Sequence, residues 1–162
     1  MHWKRVFKYV HKLHHQSTNP TVFTAFSLHP IEAVIQMAII PIVVFTIPHH
    51  ISVPSVFGTY SLILNVVGHI GFEFFPKWTA RNKILKWHNT ATHHNLHHTN
   101  VKANYGLYFN IWDRIMNTNS RGYVEHFEEL VDLRDQKKKL RTETPAEPQK
   151  STVVNNNEVS TV

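Results

Sequence analysis

Five histidines lie in the eleven residues from His88 to His98, HNTATHHNLHH, in a chain with 14 among its 162 residues. Imidazole is a middling helix former and adds little apolar packing, so neither propensity nor core building explains the crowding. Metal binding does, because a neutral ring nitrogen suits iron, zinc, copper and nickel. Three groups have spacings that can converge. HKLHH supplies His11, His14 and His15; HHNLHH supplies His93, His94, His97 and His98; HIGFE supplies His69 and Glu73. Helical positions i, i+3 and i+4 share a face. The spacing therefore predicts that His11, His14 and His15 meet at one point, that His94, His97 and His98 meet at another, and that Glu73 joins His69.

One tetrahedral ion uses about four ligands. The two triplets and His69 offer seven, so the count predicts two ions close together. No Glu-x-x-His motif is present, which separates the pattern from carboxylate-rich ferritin-like dimetal sites. The other histidines carry different expectations. His88 lies off the shared face and would line the entrance. His29 precedes Pro30 in SLHPIE, where helix capping or support of a ligand is expected. His49, His50 and His126 read as surface residues.

Helices must position these groups, and hydropathy indicates which. From Leu13 to Pro76 there is no Lys or Arg, and only Glu32 and Glu73 are acidic. Within that stretch lie two apolar segments, Ile31 to Ile47 and Val56 to Phe75, joined by PHHISVP. Each approaches the roughly 20 residues that a bilayer-spanning helix needs. The fold class expected is all-α: an integral membrane helical hairpin, kinked at Pro41, with a helical cap carrying the histidines. Lys4, Arg5, Lys8 and Lys12 precede the apolar stretch, and Lys77, Arg81, Lys83 and Lys86 follow it. By the positive-inside rule this puts both ends and the histidines in the cytoplasm.

The net charge of +6 and pI of 9.7 fit an anionic membrane surface. They would fit nucleic acid as well, but the stretch from Leu13 to Pro76 without a cation to meet phosphate argues against it. The lack of cysteine excludes disulfides, Cys-ligated zinc fingers and iron–sulfur clusters. No signal peptide precedes the first apolar run. RGYVEHFEELVDLRDQKKKLR reads as a short amphipathic helix ending in a basic run. The domain organisation expected is one domain over residues 1–134 and a basic, disordered tail over 135–162, its last part from Thr142 nearly without apolar content.

With these residues in place, the chain resembles the fatty acid hydroxylase superfamily, which includes sterol desaturases. The likeness covers roughly residues 1–119. It rests on FKYVHKLHHQSTNPTVFTAFSLHPIEA, NVVGHIGFEFFP and THHNLHHTNVKANYGLYFNIWDRIMNT, in that order. The resemblance implies an integral membrane oxidoreductase whose cytoplasmic histidine boxes hold a di-iron centre, with zinc as an alternative occupant in isolated protein. O2 would be the oxidant. Electrons would come from NAD(P)H through a cytochrome b5-type or ferredoxin-type partner, and a lipid from the bilayer would be hydroxylated or desaturated. The membrane would be the endoplasmic reticulum in a eukaryote and the inner membrane in a bacterium.

By the same resemblance, His11, His14 and His15 form one box, His94, His97 and His98 another, and His69 stands between them. Glu73, His93 and His29 are candidates for ligation or for support of ligands. Tyr105, Trp112, Asp113 and Arg114 belong to the motif after the last box, where Asp113 and Arg114 would hydrogen-bond imidazole or pair with each other. Asn117 replaces the motif's usual Gly. His2 falls where the second histidine of an opening HxxxH box belongs. The first histidine and the helices before it are missing, so the chain looks like the C-terminal part of a longer enzyme. The chemistry needs no separate acid or base, and none is assigned. Two other classes stay open: a bis-His haem electron carrier, and a non-catalytic metal-binding remnant.

Overall fold

The computed structural model describes residues 1–143; the part of the expected tail from residue 144 onward lies outside them. Among the described residues the protein is all-helical, with a single isolated antiparallel bridge between His88 and Phe109. Helices α1 (Lys4–Val6), α2 (Pro30–Thr46), α3 (Val53–Gly68), α4 (Ala91–Thr99), α5 (Ile111–Ile115) and α6 (Tyr123–Glu143) are joined by 3₁₀ turns and loops. Residues 135–143, the start of the stretch expected to be tail, continue α6.

The cap is built on α6. Tyr123, Phe127 and Val131, four residues apart, form one buried stripe that packs with Ala80, Phe75, Leu96 and Val124. Polar contacts fix the turn Lys77–Arg81 onto the same helix: Arg81 pairs with Glu128, and Lys77 Nζ donates to Asp132 at 2.6 Å. Arg134 Nη1 donates to the carbonyls of Glu73 and Phe75, both at 3.0 Å. This anchors the chain where it leaves α3.

Helices α2 and α3 run out from the cap and back to it, joined by residues 47–52. His29 caps α2 by accepting from the Ile31 N–H at 3.3 Å, and α2 continues through Pro41. Apolar side chains are exposed on every side of the pair, up to 86% for Phe45 and 87% for Ile51 in the connector. A helix apolar all round needs an apolar environment. The first span has the 17 residues the sequence suggests, and the second is shorter, with 16 in α3. No helix of the described residues is long and apolar enough to cross a membrane. The 17 residues of α2 extend for roughly 25 Å at 1.5 Å per residue, against a hydrocarbon core of about 30 Å.

The second apolar segment is corrected at its end: α3 stops at Gly68, not at Phe75. Gly71 adopts φ +78, and a Cβ there would sit 2.8 Å from the Pro20 carbonyl oxygen. The chain turns away sharply, so His69 and Glu73 do not share a helical face. Glu73 instead binds the start of α4, accepting from Thr92 N at 3.0 Å and Thr92 Oγ1 at 2.7 Å. A carboxylate there satisfies free helix N–H groups and complements the dipole.

The N-terminal segment is not a regular α-helix. A π turn over Phe7–His11, closed by the Lys12 N–H on the Phe7 carbonyl at 2.8 Å, leads into a 3₁₀ turn at His14–Gln16. Such turns change the angular spacing of side chains and recur at functional sites.

Candidate metal centre

Eight histidines meet where the N-terminal segment, the end of α3 and α4 come together. They form two quartets. His2, His11, His15 and His97 make one; His14, His69, His94 and His98 make the other, and within each quartet the donor nitrogens lie within 4.8 Å of one another. All are buried except His2, which is half-buried.

Each HxxHH triplet is therefore divided, and the expectation that each converges on one point is corrected. The i and i+4 pair His11 and His15 serves the first quartet while His14 serves the second. The i and i+4 pair His94 and His98 serves the second while His97 serves the first. On a helix of 3.6 residues per turn, the i+3 and i+4 directions diverge by about 100°. One triplet can thus face two points side by side, and two opposed triplets exchange their odd members.

Hydrogen-bond partners on the outer side of four rings fix which nitrogen carries the proton. His69 Nδ1 faces the Asn65 carbonyl at 2.7 Å, His97 Nδ1 that of Ala103 at 2.7 Å, and His98 Nδ1 that of Ser17 at 3.0 Å. His11 Nδ1 meets Glu32 Oε1 at 2.6 Å. A nitrogen facing a carbonyl or carboxylate oxygen carries the proton, so in the neutral ring Nε2 is a bare lone pair. Three other imidazole nitrogens approach His69 Nε2: those of His94 at 3.0 Å, His14 at 3.2 Å and His98 at 3.3 Å. The 3.3 Å contact sets two bare lone pairs against each other. In the first quartet His15 Nε2 lies 3.2 Å from that of His2 and 3.1 Å from that of His11. A cation among the nitrogens turns this repulsion into coordination. Ligands roughly 2.0–2.1 Å from a tetrahedral ion sit about 3.3 Å apart, close to the spacing found.

Electrostatics favour the same state. Burial, aided by the neighbouring imidazoles, pulls His15 down to about 2, His11 and His98 to about 3, and His2 and His14 to about 4. His94 is lowered well below its ordinary value and His97 is lowered too, again mainly by burial. The rings are held neutral, as metal ligands must be. Facing nitrogens this close leave no slot for a porphyrin between them.

The other candidates lie elsewhere. His93 points to the back of α4, donating from Nε2 to Asn119 Oδ1 at 3.1 Å, edge-on to Tyr123. His29 caps α2, and His88 contacts the Tyr60 hydroxyl at 3.3 Å. Asp113 and Arg114 neither touch a quartet imidazole nor pair with each other. Asp113 accepts from the N–H groups of Tyr105 and Gly106, both at 2.8 Å, and from Thr118 Oγ1 at 2.7 Å. Arg114 donates to Asn110 Oδ1 at 2.9 Å and the Lys86 carbonyl at 3.2 Å, and lies over the Trp87 ring. Both shape the loop that carries Tyr105, whose ring packs edge-on against His2 and His97. Asn117 has φ 55, the left-handed geometry that Asn tolerates.

Glu32 was not assigned to the site from the sequence. It is fully buried in the first turn of α2 and holds His11 by the 2.6 Å contact. Its signal was present: a lone carboxylate in an apolar helix is costly and marks function. The supporting carbonyls of Ser17, Asn65 and Ala103 leave no such signal. Beside the quartets is a cavity of about 270 Å³, bounded by His11, His14 and His94 and by Ala25, Leu28 and Leu107.

A family model, fatty acid hydroxylase, matches residues 1–118. Methylsterol monooxygenase 1 of Danio rerio is 31% identical over 127 residues, covering 78% of this chain and 42% of its own length. Lathosterol oxidase of Mus musculus is 34% identical over 125 residues, covering 71% of this chain and 37% of its own. A Delta(7)-sterol 5(6)-desaturase of Gibberella zeae is 30% identical over 127 residues, with 73% and 32% covered. The chain thus spans less than half the length of these relatives. No solved structure matches it.

Proposed function

The chain belongs to the fatty acid hydroxylase family, and from that membership and the quartet geometry we propose that it carries the dimetal centre of a membrane oxidoreductase acting on a sterol or related lipid with O2. The observation that carries this reading is the pair of quartets, whose Nε2 atoms face one another at 3.0–3.3 Å. His2, His11, His15 and His97 would hold one ion, and His14, His69, His94 and His98 the other. An all-imidazole donor set suits iron, and zinc would fit the same nitrogens in isolated protein. When bound, the iron pair supplies the redox chemistry for O2-dependent attack on an unactivated C–H bond, giving hydroxylation or desaturation.

The chain's own residues bind, orient and exclude water. Glu32 and the carbonyls of Asn65, Ser17 and Ala103 hold four rings in the tautomer that aims Nε2 inward. Burial keeps the rings neutral without a bound proton to displace. The cavity walled by Ala25, Leu28 and Leu107 offers the lipid carbon an apolar seat against the imidazoles. The apolar hairpin would embed in the endoplasmic reticulum membrane of a eukaryote or the inner membrane of a bacterium, with the cap in the cytoplasm. A lipid would then reach the cavity without entering water. Electrons would arrive from NAD(P)H through a cytochrome b5-type or ferredoxin-type partner. That the relatives are named for sterol oxidation and desaturation favours a sterol over a fatty acid.

The test is conversion of sterols by the protein in membranes, with iron, a reductase chain and O2, read by mass spectrometry. Oxygenated or desaturated product that depends on O2 supports the reading. Two ions bound with no product from any lipid class would favour the non-catalytic alternative. Recovery of the protein from cells without detergent, free of membranes, would remove the lipid route.

A further inference from the structure

A cleft of about 700 Å³ lies away from the histidines. It lies between the last turns of α6, the start of α4 and residues 71–73. Leu130, Leu133, Lys137, Lys138 and Arg141 fall at three- and four-residue spacings on α6 and line one side of it. This face adjoins the buried stripe of Tyr123, Phe127 and Val131 without belonging to it. Phe72, 58% exposed, and Leu133, 46% exposed, give the cleft an apolar part; the three cations form a basic rim.

Those cations are left over after the local carboxylates are matched. Asp132 pairs with Lys77, Asp135 with Arg134, and Glu143 with Lys139. Glu73, also at the cleft, is engaged by the Thr92 N–H and hydroxyl and by the Phe75 N–H. Lys137, Lys138 and Arg141 have no carboxylate partner among the described residues. The cleft opens beside residues 71–73, three residues past the end of α3. An apolar seat with uncompensated positive charge therefore sits where the apolar hairpin meets the cap.

We propose that this cleft binds an anionic phospholipid, with acyl carbon against Phe72 and Leu133 and the headgroup phosphate against Lys137, Lys138 and Arg141. Its volume suits one small amphiphile. Its rim has the chemistry of a polybasic segment at an anionic leaflet. A flat protein interface needs about 800 Å² per partner, whereas the free cations here crowd one helix face above a concavity. The proposal rests on the membrane reading of α2 and α3 for its location, but its ligand can be tested apart from it.

The experiment uses the full chain in non-ionic detergent, titrated by calorimetry with short-chain phosphatidylserine, short-chain phosphatidylcholine and inorganic phosphate. Saturable binding of about one phosphatidylserine per chain is expected, with phosphatidylcholine and phosphate at least tenfold weaker. Lys137→Gln, Lys138→Gln and Arg141→Gln together should weaken it by roughly 100-fold, about fivefold per cation. Gln keeps helix propensity, and unchanged circular dichroism and metal content would verify the fold. Lys83→Gln with Lys102→Gln removes two cations outside the cleft and should change nothing. Phosphate binding as tightly as phosphatidylserine would overturn the lipid assignment. So would phosphatidylserine binding that survives the triple variant. An acidic redox protein that loses affinity in the triple variant, while phosphatidylserine fails to bind, would assign the rim to a protein partner and overturn it too. Pelleting with membranes, measured on wild type and triple variant alike, reports on the hairpin and not on the cleft.

Discussion

The two imidazole quartets draw on the same triplets, yet their surroundings differ. The second, His14, His69, His94 and His98, is buried throughout, and two of its rings are held by backbone carbonyls. The first includes a half-buried ring, His2, and its tightest support is a buried carboxylate, Glu32 on His11. One quartet is held by neutral dipoles inside the packed cap. The other adds a charged side chain to one such dipole, the Ala103 carbonyl on His97. A carboxylate behind a ligand raises its basicity more than a carbonyl does. The two ions should therefore differ in affinity and in sensitivity to mutation.

The largest effect should follow removal of His69, on which three other nitrogens of the second quartet converge. For His69→Ala, bound iron measured by mass spectrometry should fall from about two ions per chain to about one, and lipid oxidation should fall by more than roughly 100-fold, beyond the effect of losing only a supporting group. Ala at His11, His14, His15, His94, His97 or His98 should each empty its own quartet. Exposed His49→Ala and His126→Ala are the controls. If these controls lose metal as the others do, the division into quartets is wrong.

Replacing Glu32 should distinguish the quartets. Glu32→Gln retains an acceptor for the His11 N–H but loses the charge, and Glu32→Ala loses both. The first ion should bind roughly 10–100-fold more weakly in the Ala variant, with partial recovery in Gln, while the second ion keeps its affinity. Equal weakening of both ions would mean that Glu32 supports the cap as a whole and not one ligand.

These expectations show which parts of the site were legible in the sequence. The eight histidines that meet are the eight marked by box spacing and by the family resemblance. Spacing gives the angles at which side chains leave a helix, but not which opposing chain receives them. The exchange of His14 and His97 between quartets was therefore hidden, as was the π turn that leads into His11. Glu73 looked like a ligand because an unbroken helix would put it one turn past His69; Gly71 breaks that geometry. Asp113 and Arg114 carry the right chemistry for imidazole, yet loop backbone groups use it first. The apolar hairpin was evident from hydropathy, whereas its helix ends depended on local turns around Gly68 and Ser52. The outward continuation of α6 was masked by its charge: a basic run reads as tail when its helical face is not considered.

Acidification should act on both quartets in the same direction. Burial lowers the folded imidazoles, His15 to about 2 and His2 to about 4, against an ordinary value near 6.5. As pH falls below about 6.5 the unfolded chain takes up protons before the folded one does, so stability of the metal-free protein falls with it. Above about 7 both states are neutral and the dependence vanishes. Melting of metal-free protein in detergent should thus be level from pH 8 to 7 and decline steadily from 6.5 to 4.5. A level profile to pH 4.5 would show that the rings are already solvated and the quartets open.

The smallest effect should come from His2, and it bears most directly on the difference between the quartets. Its Nε2 lies 3.2 Å from that of His15, and its ring packs against His97 and Tyr105. His2 is the one half-buried ring of the eight, so water competes for its place more readily than for any other ligand's. His2→Ala leaves three rings, one of them backed by Glu32, for the first ion. That ion should bind roughly tenfold more weakly or less, and the second ion should be unaffected. A competing chelator, titrated against iron-loaded wild type and variant, would resolve two releases in the wild type and move only the earlier one in the variant. If the earlier release does not move, the first ion does not use His2. If the earlier release moves as far in His2→Ala as in His11→Ala, the half-buried ring is as firmly built into the site as the buried ones.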